Sequence, residues 1–277
     1  MSKKIIQSKI LENTELVKEI YRLVLQVEGT DHIKPGQFVN VYLDNKSMLL
    51  PRPISICSYK DREMTLVYKI VGRGTQELAE YQPGQLLRVS TSQGNGFQLD
   101  HLFSTLAEKP EPKAIALVGG GVGVPPLISL ATALGKKQGE SVDAKVIAIL
   151  GFQEDPFLVS EFQALCDEVY VATDKGTSGF HGTVLDLMKE KKLKLDYCLA
   201  CGPKPMLKAL WSYCDKAAVP LQVSMEERMG CGYGACVGCT CKTKANAGEE
   251  GEQVSIINKK VCTDGPVFMG NEVVWDE

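Results

Sequence analysis

Three things are missing or scarce in this chain: a block of like charge, an internal repeat, and histidine. Its 31 basic residues nearly balance 34 acidic ones, and the net charge of −3 is spread along 277 residues. That gives no electrostatic reason to expect nucleic acid or an anionic membrane surface as a partner. The opening M-S-K-K-I-I-Q-S-K-I-L-E-N places charges where a signal peptide needs an apolar core, so the expected location is the cytoplasm. Charge is absent from Ala114 to Leu134, but the centre of that stretch, G-G-G-V-G-V-P-P over 119–126, would break a membrane-spanning helix. It reads instead as a buried strand, a turn and a buried helix. Only one of the three histidines, His181, follows residue 101, which leaves little material for mixed Cys/His metal ligation.

Cysteine, by contrast, is plentiful. There are ten, at 57, 166, 198, 201, 214, 231, 236, 239, 241 and 262. A cytoplasmic chain of this length can build a core without staples, so a disulfide framework is not expected. Half of the cysteines lie beyond residue 230, and that clustering asks for a chemical reason. A content of 44% hydrophobic and 23% charged residues is ordinary for a globular protein, and the length suggests about two domains.

The first hundred residues read as β structure. Apolar and polar residues alternate in I-Y-R-L-V-L-Q-V (20–27), Q-F-V-N-V-Y-L (37–43) and M-T-L-V-Y-K-I-V (64–71), with turn signals at 34–36, 60–62 and 82–84. Short strands at this spacing predict a small antiparallel barrel or sandwich. After the charged, proline-bearing linker at 108–113, strand and helix signals alternate. Strands are predicted at 113–118, 144–152, 167–173 and 196–202, and helices at 125–134, 160–166, 184–189 and 205–214. That alternation implies a parallel sheet. From Glu226 the chain turns irregular and rich in glycine and cysteine, with one β-like run at 253–257 and a short Gly-Glu patch at 248–252. The expected organisation is therefore multidomain: a β-barrel over 1–106, an α/β parallel-sheet domain over 107–224, and a small C-terminal segment over 225–277.

Two glycine-bearing loops fall at strand ends in the α/β half. Gly119, Gly120, Gly121 and Gly123 separate the first strand from its helix, where a helix N-terminus and bare backbone can receive a phosphate. Pro126 stands where a dinucleotide fingerprint has its third glycine, so a plain tight turn remains open as the alternative. Cys201, Gly202 and Pro203 close a later strand, and a parallel sheet brings both loops to one edge. Acidic residues in F-Q-E-D-P (152–156) lean towards NAD over NADP, because they would repel a 2′-phosphate. In the β half, L-P-R-P-I-S (50–55) follows a strand and precedes a turn. It sets Arg52 and Ser55 on one side of an extended chain held by Pro53 and Ile54, and the planar guanidinium suits a diphosphate. A surface arginine in a proline turn is the competing reading. Val67, Tyr68 and Lys69 run into a Gly-x-Gly-Thr turn, with Gly74 and Thr75, that could also wrap a phosphate.

The tail spaces Cys231-x4-Cys236-x2-Cys239 and then, after twenty-two residues, Cys262. This is the plant-type spacing for a 2Fe–2S cluster, with glycines letting backbone N–H groups turn towards the sulfurs. Zinc and free or disulfide-forming thiols are the alternatives, although structural zinc sites pair two short knuckles and Cys262 stands alone. Cys241 falls outside the pattern and reads as a non-ligand.

An Arg-Pro-x-Ser barrel followed by G-G-G-x-G-x-P-P and C-G-P-x-x-M resembles the ferredoxin–NADP reductase superfamily over residues 5–225. The tail motifs S-M-E-E-R-M-G-C-G-Y-G-A-C-V-G-C (224–239) and V-C-T-D-G-P-V-F (261–268) look narrower still: they resemble the electron-transfer subunits of B-type dihydroorotate dehydrogenase. The resemblance then covers the whole chain. It implies FAD held by Arg52, Pro53, Ile54, Ser55, Val67, Tyr68, Lys69, Gly74 and Thr75. It implies NAD facing Gly119, Gly120, Gly121, Gly123, Cys201, Gly202 and Pro203, and a 2Fe–2S cluster on Cys231, Cys236, Cys239 and Cys262. A flavin can exchange a hydride with nicotinamide and single electrons with a cluster, so it must stand between the two. The implied partner is an FMN-containing dihydroorotate dehydrogenase subunit, in a heterotetramer of two plus two. This chain would carry electrons from that partner to NAD+ without a dihydroorotate site or a catalytic side chain of its own. Two other readings stay open: an NADH-dependent flavin/iron–sulfur reductase serving a different redox partner, and a metal-binding regulator without enzymatic activity. The segment between Cys239 and Cys262 is long for the family pattern, which leaves the loop geometry near Cys262 to be determined.

Overall fold

In a computed structural model, the chain is described over residues 4–28, 33–45, 47–135, 143–245 and 255–275. The Gly-Glu patch at 248–252 and the first two residues of the β-like run at 253–257 lie outside these.

Six antiparallel strands close a barrel: β1 (Ile5–Val17), β2 (Ile20–Gln26), β3 (Phe38–Tyr42), β4 (Arg52–Lys60), β5 (Glu63–Lys69) and β6 (Leu86–Ser90), in the order β1-β2-β5-β4-β3-β6. Closure leaves no open edge. Alternate residues such as Leu23, Leu25, Ile54, Ile56, Leu66 and Leu87 fill the interior. Two features differ from the sequence expectation. The Arg-Pro-x-Ser motif is itself the start of a strand, β4, not a linker after one. Residues 72–75 do not form a free turn, because they begin a helix, α1 (Arg73–Glu80). Thr75 stands three residues past Gly72 and its hydroxyl accepts from the N–H groups of Val71 and Gly72, capping the helix start that the glycines obscure.

A second helix, α2 (Leu99–Ala107), leads into the parallel sheet. Its strands are β7 (Ala114–Gly120), β8 (Lys145–Phe152), β9 (Glu168–Thr173), β10 (Phe180–His181), β11 (Tyr197–Cys201) and β12 (Leu221–Ser224). They pair in the order β10-β9-β8-β7-β11-β12. Helices α3 (Pro126–Leu134), α4 (Val159–Leu165), α5 (Val184–Glu190) and α6 (Lys204–Lys216) connect them. β7 is apolar throughout because both faces are covered. The uncharged helix α3 is also buried on most sides: it packs against β4, and Leu127, Leu130 and Leu134 share one apolar core with Cys57 and Val67 of the barrel. Among the described residues, no helix is long and apolar enough to cross a membrane.

The C-terminal segment is not separate from this sheet. After a cysteine-bearing loop, β13 (Thr240–Ala245) and β14 (Ser255–Lys260) pair as an antiparallel hairpin. The chain then returns as β15 (Val267–Met269), antiparallel to β12, giving the sheet a seventh strand. The expected boundary at 224/225 thus falls at the end of β12, and the segment beyond it contributes the sheet's edge.

Candidate functional site

A cleft of about 910 Å³ opens between the barrel and the carboxyl ends of the parallel strands, a volume in the range of small-molecule and cofactor sites. Its floor is made by the two loops singled out in the sequence. β7 and β11 are neighbours with Gly119 opposite Cys201, and Gly120, Gly121, Gly123 and Pro203 line the cleft. Gly121 has φ +54 and opens a short 3-10 turn over Gly121–Gly123. A side chain on Gly123 would run into the backbone of Cys201 and Gly202, so the turn can only sit this low as glycine. Cys201 lies buried behind this floor, where desolvation pushes its thiol up to about 12 despite a hydrogen bond with Ser224. That supports its reading as packing.

The cleft also holds residues the sequence reading passed over. Glu226 lines it and bears electrostatically on Cys201. At its other end, Glu154 after β8 meets Lys175 after β9 at 2.6 Å, with Asp155 and Asp174 beside them in the lining. Acidity after β8 was visible in sequence. The lysine that neutralises it was not, because it arrives from the next strand.

Of the barrel candidates, Lys69 reaches the cleft wall. Arg52, at the start of β4, is anchored by its Nη1 to the carbonyls of Met48 and Leu50, and its guanidinium lies over Gly74 in the first turn of α1, where a Cβ would overlap it. One planar cation is thereby brought beside the free N–H groups of a helix N-terminus, an arrangement chemically suited to a diphosphate. Ser55 is half-buried on the same strand, where Ile54 turns into the barrel and Pro53 outward. Strand alternation sets Ser55 with Pro53 and on the face opposite Arg52, contrary to the expectation that both share one side. Val67 and Tyr68 are buried. The Tyr68 ring stacks on Tyr21 and its hydroxyl donates to Asn13 Oδ1 at 3.1 Å, so it offers only main chain to a ligand outside the barrel. The Thr75 hydroxyl is similarly occupied in capping α1.

The cysteine loop runs from Gly230 to Cys239 and leads directly into β13. Gly232 (φ +71) and Gly234 (φ +93) turn the chain, and the Cys236 N–H points to Cys231 Sγ at 3.4 Å. Desolvation raises the Cys231 pKa, but donation from the backbone N–H groups of Cys236, Tyr233 and Ala235 outweighs it and holds the thiol at about 6. Cys262 reaches the same place through the hairpin. Thr240 pairs with Lys260, and the Val261 N–H donates to Cys239 O at 2.9 Å. Cys239 and Cys262 are buried side by side, and burial together with the neighbouring thiol pushes Cys262 up to about 11. The ladder from Thr240–Lys260 to Ala245–Ser255 brings Cys262 beside Cys239, so the long segment between the two cysteines does not keep them apart.

Among the described residues, no three Cys, His, Asp or Glu side chains converge as a cage for a single metal ion. A binuclear cluster spreads its four thiolates over two irons and needs donors to sulfur. The four-thiol set and the N–H groups ringing Cys231 fit that chemistry better than a closed zinc site. Cys241 is buried in β13, where desolvation pushes its thiol up to about 11.

A flavin-reductase barrel joined to a nucleotide-type parallel sheet defines an oxidoreductase fold class, and solved structures of that class superpose on the chain. A chain from the NADH-dependent reduced ferredoxin-NADP oxidoreductase, a structure described for flavin-based electron bifurcation, matches with TM-score 0.78 and 28% identity, over 97% of this chain and 90% of the other. The ferredoxin NADP+ reductase of Neisseria gonorrhoeae shares the fold at TM-score 0.63 and 18% identity, covering 77% and 92%. The iron-sulfur cluster binding domain of dihydroorotate dehydrogenase B matches residues 226–274. Electron transfer subunits of dihydroorotate dehydrogenase B (NAD(+)) are similar along their whole length. The one from Caldanaerobacter subterraneus is 36% identical over 97% of this chain and 98% of the relative. The one from Bacillus velezensis is 42% identical over 95% and 96%. The chain belongs to the family of dihydroorotate dehydrogenase B electron transfer subunits.

Proposed function

We propose that this protein is the electron-transfer subunit of an NAD-dependent dihydroorotate dehydrogenase, serving pyrimidine biosynthesis in the cytoplasm. It holds FAD in the barrel over 1–106, receives NAD in the α/β domain over 107–224, and carries a 2Fe–2S cluster in the segment over 225–277. Its partner is the FMN-containing catalytic subunit, in a two-plus-two heterotetramer. One observation carries the reading: the order of strands in the barrel. β4, with the Arg52–Ser55 motif, lies between β5, whose Lys69 faces the nucleotide cleft, and β3, whose Asn40 touches the cysteine loop. A flavin on β4 would then stand between nicotinamide and cluster.

When bound, the flavin supplies the exchange between hydride transfer and single-electron transfer that neither neighbour can perform. The protein's part is positional. Arg52 and the first turn of α1 bind the flavin diphosphate, with Gly74 leaving room for the guanidinium. The 119–123 turn and the 201–203 loop seat the nicotinamide nucleotide against Lys69. Cys231, Cys236, Cys239 and Cys262 hold the cluster, and the N–H groups around Cys231 stabilise its negative charge.

The test is anaerobic purification with the catalytic subunit co-expressed, followed by visible spectroscopy, iron and sulfide analysis, and EPR on adding NADH. Released FAD, two irons and two sulfides per chain, a reduced-cluster signal with NADH and co-purification of an FMN subunit are expected. Zinc in place of iron, or iron without flavin, would overturn the reading. The same cofactors with a different co-purifying protein would favour a reductase serving another partner.

A further inference from the structure

Asn40 is an odd residue for its position. It sits in the middle of β3, 1% exposed, flanked by the buried Phe38, Val39 and Val41. An amide in such a strand is unfavourable by about 1–3 kcal/mol unless it is bonded. Its main-chain N–H is satisfied by Ser90 Oγ at 2.9 Å, and its side chain meets the Tyr42 hydroxyl on the same strand as well as the cysteine loop. Nδ2 donates to the carbonyl of Cys231, 191 residues away, at 3.3 Å. Oδ1 is buried with no partner. The next residue, Gly232, lies so close to the amide that any Cβ there would overlap it. Across the ladder in the other direction, Asn40 is paired with Pro53 of β4, and Phe38 with Ser55.

A second asparagine does the matching job on the other half of the cysteine segment. Asn95, in the barrel loop after β6, donates from Nδ2 to Val267 O at 2.8 Å and accepts at Oδ1 from Val267 N–H at 3.1 Å. Its own N–H donates to Gly265 O at 2.7 Å. It thus grips the strand that follows Cys262. The barrel holds both cysteine-bearing stretches, each through one side-chain amide.

We infer that Asn40 and Asn95 are positioning residues that fix the cluster against the flavin strand of the barrel, with Asn40 the bridge between the Cys231 loop and β4. This rests on the proposed placement of flavin and cluster. The junction passes one electron at a time, oxidising one cofactor and reducing the other, with no bond formed or broken in the protein. Its rate depends on the separation and orientation of the two groups, which supporting side chains hold in place. The nucleotide side is untouched, since neither asparagine lines the cleft.

The test uses the full chain carrying FAD and cluster, with the variants Asn40→Ala, Asn40→Asp and Asn95→Ala. NADH is mixed anaerobically in a stopped-flow instrument, flavin bleaching and cluster reduction are followed separately, and the EPR spectrum of dithionite-reduced protein is recorded. Flavin bleaching should match wild type in all three. Cluster reduction should slow severalfold, because electron transfer weakens as the two groups move apart. Asn40→Asp, studied at a pH high enough to ionise its buried carboxyl, keeps the shape of the amide while removing the donor and adding negative charge. It should also move the cluster's potential downward and alter its EPR g-values, a change that loss of packing alone would not produce. Unchanged cluster reduction in Asn40→Asp overturns the inference. So does loss of iron from folded, FAD-loaded Asn40→Ala, which would make Asn40 a determinant of cluster assembly. A wild-type chain lacking flavin or cluster would instead overturn the functional reading itself, before any variant is compared.

Discussion

The Arg52 guanidinium rests on Gly74, two residues from different elements that occupy one small volume at the mouth of the barrel. Any side chain at 74 must displace the arginine, although alanine would otherwise favour the helix by about 1 kcal/mol. Gly74→Ala should therefore leave the chain folded and the iron content unchanged, while FAD affinity falls about tenfold or more. Flavin titration of the deflavinated protein checks this, and full FAD affinity in the variant would remove Arg52 from the diphosphate site.

Cys236→Ser removes one of the proposed cluster thiols while the Cys236 backbone N–H that donates to Cys231 stays. Iron and sulfide should be lost and electron exchange with the partner subunit abolished. Oxidation of NADH by a dye that takes electrons directly from FAD should persist within about twofold, because no residue of the cleft is altered. Loss of the dye activity in a folded, FAD-loaded variant would contradict the order nicotinamide, flavin, cluster.

Lys175 is a cation at the far end of the nucleotide cleft, held by Glu154. With Glu154→Ala that cation is released into the cleft, where the proposed nucleotide placement lets it meet a 2′-phosphate. The KM for NADPH should fall by about tenfold, equivalent to roughly 1.4 kcal/mol, with little change for NADH. Adding Lys175→Ala should cancel the gain. An NADPH response that survives the second substitution would place the determinant at Asp155 or Asp174.

Tyr197 ties α2 to the sheet: its hydroxyl receives Gln222 Nε2 at 2.8 Å and meets His101 Nδ1 at 2.8 Å. Desolvation lifts its pKa from 10.0 to about 12. A raised folded-state pKa contributes stability that is whole below pH 10 and lost as the pH climbs through 12. Tyr197→Phe should cost about 1–2 kcal/mol at pH 8. The gap to wild type should then shrink by about 2–3 kcal/mol between pH 10 and 12, and could reverse. Urea unfolding at several pH values measures it, and a gap that does not change with pH would refute the assignment.

Some of this protein could be read from the chain alone, because the determining contacts are local. The buried strand, glycine turn and apolar helix at 114–134 are consecutive in sequence, and Cys231, Cys236 and Cys239 share one loop. Local hydrophobic period and ligand spacing were enough to locate both. The start of α1 reads as a turn because two glycines mask a helix whose N-cap is Gly72 and whose first turn is closed by the Thr75 hydroxyl. How distant parts join is written only faintly in the sequence. The plant-type spacing groups Cys262 with Cys239, but it does not give the hairpin register that brings it there. Asn40 lies 191 residues from Cys231, and Asn95 lies 172 from Val267. A buried asparagine within F-V-N-V-Y (38–42) was the one visible hint, a polar group in an apolar strand. Periodicity records which side of an element faces inward; it does not record which remote segment will be waiting there, and that is decided only when barrel, sheet and cysteine loop close around one another.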